Sequence, residues 1–147
     1  MEKLATADPR DSCMFHLMLA TGLRVGSVCA LKVSDVDLER GEIHVREAKR
    51  GQADRVFLGE EIREHLRRYM KGRTGKLFDL TPRHVSRLLK EYAGPDVSPH
   101  MLRHTFADRI YRKTRDVLVV KEALRHRSVT STMVYARPSE EAVRAVL

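Results

Sequence analysis

Hydrophobic residues recur at helical spacing through most of the chain, with one interruption by a strand-like alternation. Asp8-Pro9 offers an N-cap followed by a first helical residue, Met14, Leu17 and Met18 continue the apolar stripe, and Thr21-Gly22 stops it. Val25, Val28 and Cys29 mark a second helix, which gives way to the turn-rich SDVD at 34–37. Ile43/Val45 and Val56/Leu58 then alternate as two short strands, with Lys49 to Ala53 around Gly51 as the turn between them. The helical period returns with Ile62, Leu66 and Tyr69. Thr81-Pro82 opens a further helix carrying Val85, Leu88, Leu89 and Tyr92, and Gly94-Pro95 breaks it. Ser98-Pro99 caps the next, 117–124 form another, Ser128 starts a short one through Tyr135, and 140–147 form an amphipathic end. The expected fold is mostly α (α+β): one helical domain over 1–147 with a small antiparallel hairpin or three-stranded sheet.

The segment SPHMLRHTFA (98–107) concentrates the chemistry. His100, Arg103, His104 and Ala107 share one helical face, while Leu102, Phe106 and Ile110 form an apolar stripe on the other. The pattern predicts a core-facing side and a side that gathers cationic hydrogen-bond donors. Taken alone, such a helix is an ordinary basic surface helix, and the rest of the chain has to decide.

Charge changes the picture. Among 147 residues, 28 Lys and Arg outnumber 20 Asp and Glu, for a net charge of +8, which favours a polyanionic partner with nucleic acid first. Aromatics make up 5% and Trp is absent, which argues against a stacking platform for single strands. Cys13 and Cys29 lie within apolar helical patterns without a CxxC and read as reduced core thiols. MEKLATADPR lacks the apolar centre of a signal peptide, and MFHLMLATGL is too short to span a bilayer. A cytoplasmic, membrane-free protein is expected.

Phosphodiester transfer without a metal needs fixed cationic donors around the phosphate, a nucleophile in line with the breaking bond, and a proton donor for the leaving oxygen. The candidates are Arg24, Lys49, His100, Arg103, His126 and Tyr135. Their surroundings, TGLRVGSVCALKVSDVDL (21–38), PHMLRHTFA (99–107) and LRHRSVTSTMVYAR (124–137), resemble the three signature segments of the tyrosine recombinase, or phage integrase, family. The resemblance runs from about residue 11 to residue 137, and its strength lies in the order of Arg, hairpin Lys, HxxR, His and Tyr rather than in any one motif.

That resemblance implies a site-specific recombinase or integrase catalytic domain that cuts and rejoins DNA through a 3′-phosphotyrosine, releasing a 5′-hydroxyl. Arg24 and Arg103 match the arginines that hold the scissile phosphate, and Lys49, with Arg50 as the alternative, matches the general acid. His100 matches the histidine that contacts the phosphate and assists proton transfer from the tyrosine. His126 matches a donor to a phosphate oxygen, and Tyr135 the nucleophile. Tyr69 and Tyr92 fall on core stripes, Tyr111 fits either surface or core, and His104 fits either a core anchor or the site. A free phenol is ionised in only about one molecule in a thousand at pH 7, so the cationic surroundings matter. The reaction calls for no cofactor and no metal. Double-stranded DNA is the implied partner, with self-association as a tetramer on DNA in the full-length protein.

Two residues depart from the family pattern. Ser27 stands where many members have an acid three positions after the first arginine, and Arg125 stands where glycine commonly precedes the third-motif histidine. These leave open a catalytically weak or inactive recombinase-derived DNA-binding protein. The usual N-terminal clamp domain is expected to be absent, an excised or naturally minimal member being the two readings. A zinc site on His100 and His104 would resemble HExxH, but Met101 takes the place of its glutamate. The type IB topoisomerases share the constellation without the LRHRSVTSTMVYAR context. The C-terminal PSEEAVRAVL is expected to pack on its own domain or on another copy.

Overall fold

The computed structural model describes residues 7–46, 53–125 and 138–147. They fall into two compact units, Met1–Phe106 and Ala107–Leu147.

The first unit is organised around α1 (Pro9–Thr21), whose buried residues Asp11, Cys13, Met14, Phe15, Leu17, Met18 and Thr21 cover more than half of its circumference, while Ser12, His16 and Leu19 on the remaining side are half-buried. Such a wide buried face belongs deep in a core. Asp8 starts it by accepting from the Arg10 N–H at 2.9 Å, and Gly22 ends it in the left-handed region at φ 67°. Asp11 keeps its buried charge satisfied through Arg10 Nε at 3.1 Å and the Tyr92 hydroxyl at 2.9 Å. Helix α2 (Val25–Ala30) follows.

Where SDVD predicts a turn, the chain makes a 3-10 turn at Val33–Asp35 and then a two-residue strand β1 (Val36–Asp37). The aspartates do the turn chemistry on either side. Asp35 Oδ2 accepts from the Lys32 N–H and Asp37 Oδ1 from the Arg40 N–H, each at 2.9 Å, which leaves Val36 to join the ladder. Strands β2 (Glu42–Arg46) and β3 (Ala53–Phe57) complete an antiparallel sheet of order β1-β2-β3, with Ile43 opposite both Val36 and Val56. Ile43, Val45 and Val56 face the core, as the alternation predicts. Of the predicted turn at 49–53, Ala53 instead belongs to β3, paired with Arg46, and 49–52 lie outside the described residues.

Helices α3 (Glu60–Met70) and α4 (Pro82–Ala93) are one-sided: Ile62, Leu66 and Tyr69 are buried on the first, and Val85, Leu88 and Leu89 on the second. Thr81 caps α4 through the His84 N–H at 3.2 Å, with Pro82 at its first position. Between them GKLFDL carries no helical or strand period, yet Leu77, Phe78 and Leu80 are buried. Its backbone docks on 31–33, with Leu77 N–H on the Leu31 carbonyl at 2.9 Å and Val33 N–H on the Gly75 carbonyl at 2.8 Å. Tyr69 is a core residue whose hydroxyl donates to the Leu77 carbonyl at 2.8 Å.

Helix α5 (Pro99–Thr114) runs across the boundary between the units. In the second unit, α6 (Val117–Leu124) is capped by Asp116, buries Val120 and Leu124, and ends at Arg125 with φ 58°. Helix α7 (Glu140–Val146), capped by Ser139, has no buried residue. The predicted helix at 128–135 lies outside the described residues. Cys13 is buried and Cys29 half-buried, both free thiols, and burial pushes the Cys13 pKa up to about 12.

Candidate active site

The N-terminal half of α5 is built against the end of α1. Phe106 and Ala107 are buried, and so is Arg103, at 5% exposure, while Leu102 and Ile110 are only half-buried. The division into an apolar face and a cationic face therefore needs correcting. At 100° per residue the two stripes are centred only roughly 110° apart, so they adjoin, and Arg103 stands at their border. Its guanidinium goes inward because it finds an acceptor there: Nη1 donates to the Gly22 carbonyl at 2.5 Å. A buried arginine without such a partner would carry a large desolvation penalty.

Gly22 is fixed by three demands at once. It caps α1 with its N–H on the Met18 carbonyl, it adopts φ 67°, and a Cβ built there would lie 2.3 Å from Phe106 Cδ1. No side chain satisfies the last two. Thr21 steers the exit, its hydroxyl donating to the Leu17 carbonyl at 2.7 Å and accepting from the Leu23 N–H at 3.3 Å. Leu23 is buried at 1% exposure, and the next residue, Arg24, stands exposed as the N-cap of α2. The TGLR segment thus delivers one arginine to the surface while its glycine holds a second, from α5, by a carbonyl.

His100 and His104 stand one turn apart on α5, their rings edge to face with centroids 4.4 Å apart. His100 is exposed and His104 half-buried. Partial loss of water, then the positive charges of His104, Arg103 and Arg24, hold the His100 pKa below the ordinary histidine value. Arg24 of TGLR and Arg103 and His104 of the α5 segment thus all act on His100. A neutral imidazole beside two guanidinium groups suits an oxyanion that needs both donors and a proton acceptor.

Lys49, His126 and Tyr135 lie outside the described residues. The strands β2 and β3 flank the segment that carries Lys49, and Arg125 precedes His126 with its N–H on the Glu122 carbonyl at 3.1 Å. Ser27 lines a shallow cleft with Ala30, Leu31, Lys32, Asp35 and Val45. Among the described residues, no group of three or more His, Cys, Asp or Glu side chains is arranged to hold a metal ion. No helix among them is long and apolar enough to cross a membrane.

The contributions of Gly22, Thr21 and Phe106 escape a reading by periodicity. Gly22 signals a helix stop, and Phe106 a core position. The contact between them joins residues 84 apart in the sequence, which no local pattern reports.

Residues 1–142 match the model of the phage integrase family. The tyrosine recombinase XerA of Pyrococcus furiosus is 37% identical over 144 residues, covering 87% of this chain and 50% of that protein. The crystal structure of XerA recombinase is similar at a TM-score of 0.80 and 30% identity, covering 99% of this chain and 59% of that one. The XerH site-specific recombinase bound to difH substrate, in a pre-cleavage complex, gives a TM-score of 0.79 at 23% identity, covering 99% and 49%, a likeness of fold. The chain spans about half the length of the curated relatives it matches.

Proposed function

Because the chain belongs to the phage integrase family, we propose that residues 1–147 are the catalytic domain of a site-specific DNA recombinase. The observation that carries this reading is the buried Arg103, held by the Gly22 carbonyl beside His100, with the charge of Arg24 close by. Arg24 and Arg103 bind the non-bridging oxygens of the scissile phosphate, and His126 adds a third donor. The Tyr135 hydroxyl oxygen attacks phosphorus, its proton passing to His100, and a 3′-phosphotyrosine forms. The bond from phosphorus to the 5′ oxygen breaks, and Lys49 protonates that oxygen. Attack by a 5′-hydroxyl on the phosphotyrosine reverses the sequence and rejoins the strand. The ester conserves the energy of the broken bond, so no nucleotide is consumed.

The substrate is double-stranded DNA, bound largely through phosphate contacts and hence with an affinity that falls as salt rises, by roughly 0.9 log unit per contact for each log unit of salt. Assembly on DNA as a tetramer of the full-length protein, in the cytoplasm, completes the proposal. The exposed Val143, Val146 and Leu147 give the C-terminal segment an apolar edge for packing on another copy. The weaker alternative, a DNA-binding protein with little or no cleavage, draws on Arg125, a non-glycine residue in the left-handed region next to His126.

Nicked suicide duplexes discriminate between the two. Tyr135→Phe abolishes the covalent adduct and leaves DNA affinity nearly unchanged, whereas adduct retained in this variant would remove the assignment. Lys49→Ala is rescued by a 5′-bridging phosphorothiolate, which leaves as a thiolate without needing a proton, and Arg103→Ala is not. Absence of adduct from the parent chain on every such duplex would favour the binding-only reading.

A further inference from the structure

His100 enters α5 at its second residue, directly after Pro99. Helical side chains lean toward the N-terminus and rest on the turn before their own. For His100 that turn does not exist, because 96–98 precede the helix. An exposed imidazole in a first turn has several staggered rotamers open to it unless a neighbour closes them.

His104 is placed to be that neighbour. It lies one turn further along the same face, and its own lean carries its ring back over His100. The two rings stand at 89° with centroids 4.4 Å apart, the edge-to-face arrangement that aromatic rings favour. His104 is half-buried, whereas Thr105 and Asp108 beside it on the helix are exposed, and it adjoins Arg103, which the Gly22 carbonyl holds. The contact is electrical as well as steric. Loss of water, then His104, Arg103 and Arg24, in that order, keep the His100 pKa below the ordinary histidine value. Among the described residues these are the charged groups that act on His100, two from its own helix and Arg24 from the N-cap of α2. An imidazole must be neutral to accept a proton, and it must be held still to accept one from a fixed direction.

We propose that His104 is a positioning residue for His100: its ring, seated edge to face, holds the His100 imidazole in one orientation beside Arg103 for the proton it takes during strand cleavage. The inference rests on the recombinase reading and on His100 as the proton acceptor. His104 acts through His100 and not on the DNA.

Two substitutions separate the ring from the hydrogen bond at this position. His104→Phe keeps a ring and loses the charge and the nitrogens. His104→Asn keeps a hydrogen-bonding group in place of the nearer ring nitrogen and loses the ring. Adduct formation by the full chain is followed on nicked suicide duplexes at about pH 8, where an ordinary histidine is neutral. Positioning predicts His104→Phe within about threefold of the parent and His104→Asn slower by roughly ten- to a hundredfold, the scale of a small misplacement of a reacting group. In both variants the acid limb of the rate profile moves to higher pH, because His100 takes up its proton more readily once a positive neighbour is gone. A role as core anchor alone predicts the opposite order, Asn fast and Phe slow. That order overturns the proposal, and so do equal rates in the two variants or an acid limb that stays in place. NMR of the DNA-free chain supplies a readout independent of cleavage: His100 shows one χ1 rotamer in the parent and in His104→Phe, and several in His104→Asn. A single rotamer in His104→Asn overturns the proposal, and this measurement decides it should the phenylalanine variant fold poorly. His100→Ala distinguishes the failures. If it forms adduct as fast as the parent, or if the parent forms none, the reading beneath the inference fails and the inference falls with it. If His100→Ala is slow and His104→Asn is not, only the role of His104 fails.

Discussion

Two helices end in left-handed conformations just ahead of candidate site residues, and they do so with different amino acids. Helix α1 ends at Gly22, φ 67°, two residues before Arg24, and α6 ends at Arg125, φ 58°, immediately before His126. At Gly22 both the backbone and the space above it exclude a side chain, because the Phe106 ring occupies the place of a Cβ. At Arg125 the left-handed backbone carries a long, half-buried side chain. A left-handed cap alone costs a non-glycine residue about 1–2 kcal/mol, which a domain survives. A left-handed cap under a packed aromatic ring adds overpacking to that cost.

The largest expected effect is at the first. Gly22→Ala adds backbone strain to overpacking against Phe106, and destabilises by roughly 2–5 kcal/mol in urea unfolding. It also moves the carbonyl that holds Arg103, so adduct formation falls in whatever fraction remains folded. A cost no larger than the backbone part, about 1–2 kcal/mol, would show that the ring gives way freely. Phe106→Ala itself costs about 3–5 kcal/mol as a core truncation. In that background, Gly22→Ala should cost only the backbone part, about 1–2 kcal/mol. The difference is the coupling energy of the contact, and additivity of the two substitutions would deny that they meet.

The second cap isolates the backbone term. Arg125→Gly and Arg125→Ala remove the same long side chain, so their difference reports the conformation. Glycine should be the more stable by about 1 kcal/mol, the left-handed cost less the unfolded-chain entropy that glycine adds. Equal stability would mean that Arg125 is not left-handed in solution.

The smallest effect is electrostatic. His100 is held below the ordinary histidine pKa, and so is His65, by loss of water and by the charges of His16 and Arg68. Such groups bind protons less readily folded than unfolded. Their contribution is neutral above the ordinary histidine range and becomes destabilising as pH falls from about 6.5 toward the depressed folded values. Arg24→Gln removes one of the charges acting on His100, so the His100 pKa measured by NMR rises toward the ordinary value. No movement would place Arg24 out of reach of the ring.

Periodicity located the helices well because their signals are local: Asp8-Pro9, Thr81-Pro82 and the buried stripes of α3 and α4 stand where the pattern puts them. It misjudged or passed over residues whose surroundings come from elsewhere in the chain. Val36 joins a strand because Asp35 and Asp37 carry out the turn chemistry on either side of it. Leu77 and Phe78 are buried by docking on 31–33, without a period of their own. Arg103 turns inward because the Gly22 carbonyl is there to receive it. The types and order of the candidate residues were legible in three short segments and in the predicted turn that carries Lys49, whereas what holds Arg103 in place was not. It depends on a glycine, a carbonyl and a ring joined only by the fold.

The most direct test is to digest the covalent complex formed on a suicide duplex and identify the nucleotide-bearing peptide by mass spectrometry. Four tyrosines compete: Tyr69, Tyr92, Tyr111 and Tyr135. Tyr69 and Tyr92 have hydroxyls already engaged with the Leu77 carbonyl and Asp11, and both have raised pKa values, Tyr69 chiefly through burial and Tyr92 chiefly through its bond to Asp11. The account predicts the nucleotide on Tyr135 alone, with a reduced yield when Gly22→Ala displaces the carbonyl that seats Arg103. A nucleotide on Tyr111, or on Tyr135 at undiminished yield in the Gly22→Ala variant, would contradict it.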